Sequence, residues 1–354
     1  MEEKGVKGWI DGDESAREML GRVLSERPVI VLPPPLHRIP VRAGNVVEIS
    51  GPSPSAKTLL LIQAAVRCIL PREWKGVHYG GLGQLVLYID LDCRFEPARL
   101  LQVLRCRILE ANGRQIDGGR DNVNGCDEEL LSVCMRRFLY IRCYHSFEFL
   151  ATLKTLHHRL EKERPSHGER VQLLLIDNIG AFHWVDRASM ASPLELRNRK
   201  SPSLQSVWEV VVQDLRKLLL VHPMLVIASK ATILGNTVNE GERHFRGRFS
   251  VDMSTDTRSG KKEFQIQKFR EYMPSVWQAI VTHRIVVQTS EEHPATASHR
   301  QDQPVLHLLE WLLPALSIMD KFIVKDAGNF HLQRHCSYPH QKVIRRHSCA
   351  IHSV

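Results

Sequence analysis

Short apolar runs recur through the chain: NVVEIS (45–50), QLVLYID (84–90), FLYIRCY (138–144), VQLLLID (171–177) and MLVIAS (224–229). They are rich in β-branched residues, and most lack a polar face, as strands covered on both sides do. Segments of helical spacing separate them. LLLIQAAVRCIL is apolar nearly all round, which predicts a buried helix. FEPARLLQVLRCRILEANG carries Pro97 near its first turn, where proline is tolerated. FEFLATLKTLHHRLEKER ends in charge, and residues 203–221 place Leu204, Val207, Trp208, Val211, Leu215 and Leu218 at helical spacing. Parallel strands need a crossover of about a dozen residues, usually a helix. The alternation therefore predicts an α/β fold, a mostly parallel sheet flanked by helices.

The alternation stops after residue 230. FQIQKF (264–269), HRIVVQTS (283–290) and KFIVKDAGNFHL (321–332) predict extra, antiparallel strands at one end of the sheet, with D-A-G as a turn. Stretches 112–128, 186–202, 230–262 and 291–303 read as loops. Residues 1–40 form a helix and a proline-rich linker, residues 41–334 one core, and residues 335–354 a basic, disordered tail. Before the core there is room for one helix (ESAREMLGRVLSE) and a connector (PVIVLPPPLHRIP), too little for a separate domain.

The chain has 354 residues, 43% hydrophobic and 25% charged, and a net charge of +9. That balance suits a globular protein with an acidic partner, nucleic acid first and anionic membrane second. Eight scattered cysteines without a C-x-x-C pair fit a reducing compartment. The start, MEEKGVKGWIDGDES, is too polar and acidic for a signal peptide, and the apolar stretch 305–319 is interrupted by Glu310 and Pro314. No membrane partner is expected. In the tail, Cys336-x₃-His340 and Cys349-x₂-His352 match no closed zinc spacing.

The frame GPSPSAKT (51–58) lies between the first strand and the buried helix. A phosphate loop wraps an anion in consecutive backbone N–H groups at a helix N-terminus, with a lysine on the outer phosphates and a hydroxyl on Mg²⁺. Gly51, Ser55, Ala56, Lys57 and Thr58 are the candidate nucleotide-binding residues. Two features depart from such a loop. Ala56 stands where the backbone favours glycine, and Pro54 removes one donor. A loop kept for its shape alone is the plain alternative.

Asp177 ends the strand LLLID, where a carboxylate can organise a metal beside the loop; Thr58 and Asp177 are the candidate Mg²⁺ ligands. Asp90 and Asp92 follow the second strand, and Asp92 is a candidate base for an attacking water, with helix capping as the plain reading. In ERHFRGRFS, Arg243, Arg246 and Arg248 alternate with Phe245 and Phe249, cations for phosphates and rings for bases. The alternative there is a solvated charged loop. Arg187, Arg197, Arg199 and Lys200 are a weaker form of the same signal.

Together GNVVEISGPSPSAKT, RCILP, YIDLDCRFEPARL, LLLIDNIGAFHWVDR and YMPSVWQAIVTHRIVV resemble the RecA-like recombinases, specifically the eukaryotic recombinase paralogues, over about residues 40–290. The resemblance implies a RecA-like ATPase core that binds ATP and Mg²⁺, without the family's N-terminal helical DNA-binding domain. It implies homologous-recombination repair in the nucleus, within a complex containing another paralogue, on single-stranded or branched DNA. Where active recombinases place a catalytic glutamate this chain has Asp92, one methylene shorter. Where they place a phosphate-sensing glutamine it has Lys230, and the loop lacks two glycines. Weak or absent hydrolysis follows. All of this requires Lys57–Thr58 and Asp177 to end neighbouring parallel strands, or the helix just beyond one, so that a triphosphate and its magnesium fit between them.

Neutralising Arg243, Arg246 and Arg248 together is expected to weaken single-strand binding and flatten its salt dependence. An unchanged slope in an anisotropy titration at several salt concentrations would reject the assignment.

Overall fold

The computed structural model describes residues 15–27, 29–113, 127–162, 170–190, 204–234, 269–289, 305–316, 318–324 and 330–333. Helix α1 (Ala16–Glu26) opens with a reciprocal capping box: Glu18 N donates to Ser15 Oγ at 3.2 Å and Ser15 N to Glu18 Oε2 at 2.9 Å.

Nine strands make one sheet: β1 (Val46–Gly51), β2 (Leu85–Asp90), β3 (Phe138–Arg142), β4 (Val171–Asp177), β5 (Leu225–Ala231), β6 (His283–Thr289), β7 (Leu306–Leu313), β8 (Met319–Val324) and β9 (Phe330–Gln333). Their spatial order is β3-β2-β4-β5-β1-β6-β7-β8-β9. The first six run parallel, and β7 to β9 continue antiparallel. One face is covered by α2 (Lys57–Ile69), α3 (Pro97–Ala111) and α4 (Glu128–Arg136). The other carries α5 (Ser146–Lys162), α7 (Leu204–Val221) and the single turn α8 (Ser275–Gln278), with α6 (His183–Met190) against α7. Strands β2, β4 and β5 are buried along nearly their whole length, as their unbroken apolar runs require.

Several expectations change. Strand β6 is not an antiparallel addition; it pairs in parallel with β1, inside the parallel block. Of the FQIQKF segment only Phe269 is described, and it lies outside the main sheet, in a ribbon pairing Phe269–Arg270 with Ile233–Leu234. Strand β7 was missed because its stretch reads as one apolar block, yet His307, Leu309 and Trp311 alternate inward. Helix α4 was also missed; its start is fixed by Asp127, whose carboxylate accepts from Glu129 N and Leu130 N. The stretch 186–202 begins as helix α6, and 230–262 begins in β5. The D-A-G turn, the tail after His335, and Cys126, Cys336 and Cys349 lie outside the described residues. Cys68, Cys106, Cys134 and Cys143 are buried and Cys93 is exposed. No described helix is long and apolar enough to cross a membrane.

The proline-rich connector is packed, not loose. Val29–Ile30 pairs antiparallel with Val41–Arg42, and Ile30, Leu32 and Leu36 are buried in the same core as α2. Arg38 donates to Asp320 of β8 at 2.8 Å.

At the centre of the sheet, Glu48 of β1 is fully buried. Lys230 of β5 lies 2.8 Å from its carboxylate and Arg284 of β6 2.9 Å; Trp277 Nε1 donates to it at 2.7 Å and Ser50 Oγ at 3.0 Å. Burial alone would raise the Glu48 pKa; Lys230 and Arg284 outweigh it and hold the group ionised, below the usual carboxylate value. Trp277 and Arg284 belong to the late W-x-x-x-V-x-H-R stretch, so its spacing is a device for satisfying one buried acid.

Leu36→Ala is expected to cost about 2–5 kcal/mol of stability, as deletion of a fully buried leucine does. Urea unfolding measures it. A loss under half a kcal/mol would return the connector to the status of a linker.

Candidate nucleotide-binding site

Strand β1 ends at Gly51, and a Cβ there would come 2.2 Å from the Val287 carbonyl oxygen of β6. Only glycine lets the loop leave the sheet at this point. The loop closes at Ala56, which caps α2 with φ 59° and ψ 11°. This is the left-handed region, costing a residue with a Cβ about 1–2 kcal/mol. The absent glycine is therefore replaced at a backbone cost, with the loop's shape retained.

Lys57 folds back over the loop. Its Nζ donates to Gly51 O at 2.8 Å, Pro52 O at 2.7 Å and the buried Ser55 Oγ at 2.9 Å. Burial lowers its pKa to about 8, partly opposed by Asp177 and Asp92. Thr58 Oγ1 donates to Asp177 Oδ2 at 2.7 Å. The two meet even though their strands are not immediate neighbours: β5 lies between β1 and β4, and α2 carries Thr58 across it. Asp177 also accepts from Tyr88 OH at 2.8 Å and from Ser229 Oγ on β5. Sequence reasoning passed over Tyr88 and Ser229. A tyrosine in a fully buried strand and a serine ending another are polar breaks in apolar runs, and each was a readable signal.

Asp90, which ends β2, and Asp92 just beyond it divide their roles. Asp90 is fully buried and accepts from Phe95 N at 3.2 Å and Tyr140 OH at 2.8 Å, the plain structural role. Asp92 is half-buried, and its Oδ1 has no hydrogen-bond partner among the described residues. Burial first, then Asp177 and Asp90, raise its pKa to about 6. Lys230 points away from this cluster to Glu48, and it also donates to Glu271 Oε2 at 2.8 Å. Arg243, Phe245, Arg246, Arg248 and Phe249 lie outside the described residues. No group of three metal-ligating side chains exists among the described residues. A cation here would be held by one hydroxyl, one carboxylate and the phosphates it accompanies.

A loop wrapping the start of α2, an acid ending β4, and a parallel block with β1 between β5 and β6 define a RecA-like α/β core. No protein-family model matches the chain. It is 48% identical over 345 residues to the DNA repair protein XRCC2 homolog of Arabidopsis thaliana, covering 92% of this chain and 90% of that one. It is 28% identical over 282 residues to the mouse DNA repair protein XRCC2, covering 79% and 85%. The archaeal DNA repair and recombination protein RadA of Methanocorpusculum labreanum is 27% identical over 195 residues, about half of each chain (54% and 53%). The chain belongs to the XRCC2 family of DNA repair proteins. The resemblance to recombinase paralogues, and within them to a plant form of this X-ray-repair cross-complementing protein, is borne out.

A triphosphate bound at this loop would restore the charge that burial removes from Lys57, so binding takes up a proton above pH 8. Affinity for ATP is expected to fall as pH rises from about 8 to 10, the window set by the lowered Lys57 value. In Lys57→Ala the affinity should be weaker and flat across that window. Equal pH dependence in both proteins, read by equilibrium binding of a labelled analogue, would refute the assignment.

Proposed function

We propose that this chain is a recombination-mediator subunit in homologous-recombination repair of DNA double-strand breaks. It works in the nucleus, in a complex with another recombinase paralogue, and helps load or stabilise the strand-exchange recombinase on single-stranded or branched DNA. The observation that carries this reading is the 48% identity, along nearly the whole chain, to a protein named for DNA repair. The kinship with RadA and the gathered Lys57, Thr58 and Asp177 support nucleotide binding.

The residues fit an ATP–Mg²⁺ pair: Gly51, Ser55 and Ala56 shape the cradle, Lys57 offers the cation, and Thr58 with Asp177 offers the metal's oxygens. When bound, the nucleotide supplies charge and differential affinity that bias one conformation or assembly over another. Lys57 would leave its loop carbonyls for phosphate, and Thr58 and Asp177 would exchange their mutual hydrogen bond for the cation. Asp92 is one methylene shorter than the glutamate that serves as base in active recombinases. Hydrolysis is therefore weak or absent, and the core acts mainly as a scaffold.

A second reading, a DNA-dependent ATPase, is favoured by one observation: the raised Asp92 pKa suits proton abstraction near neutrality. Single-turnover hydrolysis on the complex purified with its subunits separates the two. A negligible rate with and without DNA supports the mediator. A DNA-stimulated rate lost in Lys57→Ala supports the enzyme, and a chain that purifies with no other paralogue overturns the mediator reading.

A further inference from the structure

At the far end of α2 from the loop after β1, two guanidinium groups from different helices lie close together. Arg67 sits about 15 Å along α2 from Lys57, at 1.5 Å per residue. Its side chain is half-buried and forms no hydrogen bond or ion pair with any described residue, and its Nε is shut away from solvent. The charge beside it has the same sign: burial first, then Arg107 of α3, lower the Arg67 pKa. Arg107 is held in place from α2, where its Nη2 donates to the buried Gln63 Oε1 at 3.1 Å. Its Nη1 lies 3.4 Å from Glu110 Oε2, a long and partly exposed pair.

A third donor comes from the short ribbon that pairs Glu73–Trp74 with Val77–His78. The chain leaving it folds over the end of α2, where Leu82 N donates to Arg67 O at 3.1 Å. A Cβ on Gly80, whose φ is +65°, would stand 3.2 Å from Arg67 Nη1 and 3.7 Å from the exposed His78 Nε2. A bare glycine therefore lets a guanidinium and an imidazole converge on one point.

Neighbouring cations are treated differently. Lys75 lies 3.1 Å from Asp127 and 2.8 Å from Glu129, and Arg105 lies 3.7 Å from Glu128. Arg67 has no such acid among the described residues. Two like charges held together, one with a buried and unmatched N–H, cost stability, and an anion between them turns one repulsion into two attractions. Guanidinium forks match the oxygens of a phosphoryl group. The ligand is compact, because Asp127, Glu128 and Glu129 crowd the start of α4 and would repel a polyanion laid across this surface. A solvated pair of surface arginines is the plain alternative, and it leaves the buried Nε without an explanation.

The geometry points to a binding site for one phosphoryl dianion, formed by Arg67 and Arg107 with His78 at its rim. The dianion is either free or carried on a phosphorylated serine of a partner protein. This site is separate from the nucleotide-binding residues and does not depend on the function proposed above.

The test is calorimetric titration at constant ionic strength, on the full chain in its purified complex, with Lys57→Ala as the parent so that the loop after β1 does not answer for the site. The titrants are inorganic phosphate, N-acetylphosphoserine amide, its unphosphorylated form and acetate. Arg67→Gln and Arg107→Gln should each weaken one phosphate equivalent bound by the parent about 10- to 150-fold, the range for a lost hydrogen bond to a charged group. Equivalents held by other subunits should not change. Arg67→Lys, which keeps the charge and loses the fork, should retain only part of the affinity. In phosphate-free buffer Arg67→Gln should melt no lower than the parent, since a repulsion has gone, and added phosphate should raise the parent's Tm more than the variant's. For the equivalent that the variants lose, tighter binding of the phosphoserine amide assigns the site to a modified partner, and binding no tighter than phosphate assigns it to the free ion. Phosphate binding unchanged in both glutamine variants, or absent from the parent, overturns the site. Acetate bound as tightly as phosphate makes it a carboxylate contact and also overturns it.

Discussion

A carboxylate with no access to water sits at the middle of this sheet, and the rest of the structure is arranged around keeping it satisfied. Ionised Glu48 in an apolar interior costs several kcal/mol unless cations and donors surround it. Lys230, Arg284, Trp277 and Ser50 do so from β5, β6, α8 and β1. Removing one partner of such a buried group leaves an uncompensated charge, so the four elements are bound to one another's exact placement. The loop that follows β1 leaves the strand only three residues beyond Glu48 and depends on that strand lying flush with β5 and β6. The same network explains why Lys230 occupies the end of β5: its ammonium group neutralises an acid and is turned away from the loop.

The loop itself shows which of its positions can change. Gly51 cannot accept a side chain, because β6 backbone fills the space. Ala56 can stand in for glycine at a conformational cost, its methyl group packed against the core. Lys57 and Thr58 keep their chemistry through hydrogen bonds within the protein, to loop carbonyls and to Asp177. Asp177, gripped by Tyr88, Ser229 and Thr58, is held from three elements.

The parallel block was legible because strands buried on both faces must be largely apolar: QLVLYID, VQLLLID and MLVIAS carry that imprint along most of their length. Gly51, Lys57, Thr58 and Asp177 were legible because their spacing is local to a strand end and a helix start. Glu48 was not: within NVVEIS it looks like an ordinary exposed glutamate, and the residues that neutralise it lie at positions 230 and 284. Strand β7 was masked by Leu308 and Leu312, apolar residues on its outer face that blur the period of two. Asp92 and Asp90 looked alike, and only the neighbours that fold around them separate a buried acid held by Phe95 N and Tyr140 from one with a raised pKa. The connector misled because prolines suggest a tether, while its apolar residues 30, 32 and 36 have partners far along the chain.

That connector has a further consequence. From Val29 onward the polypeptide is anchored in the interior, and Arg38 ties it to the antiparallel end of the sheet. Anything joined upstream, whether a purification tag, a fluorescent protein or a natural extension, would inherit a fixed point of departure on the antiparallel side of the molecule. Its freedom would begin only before that anchor, so the reach of such a fusion is set by the residues ahead of Val29 and the linker added, with none borrowed from the prolines.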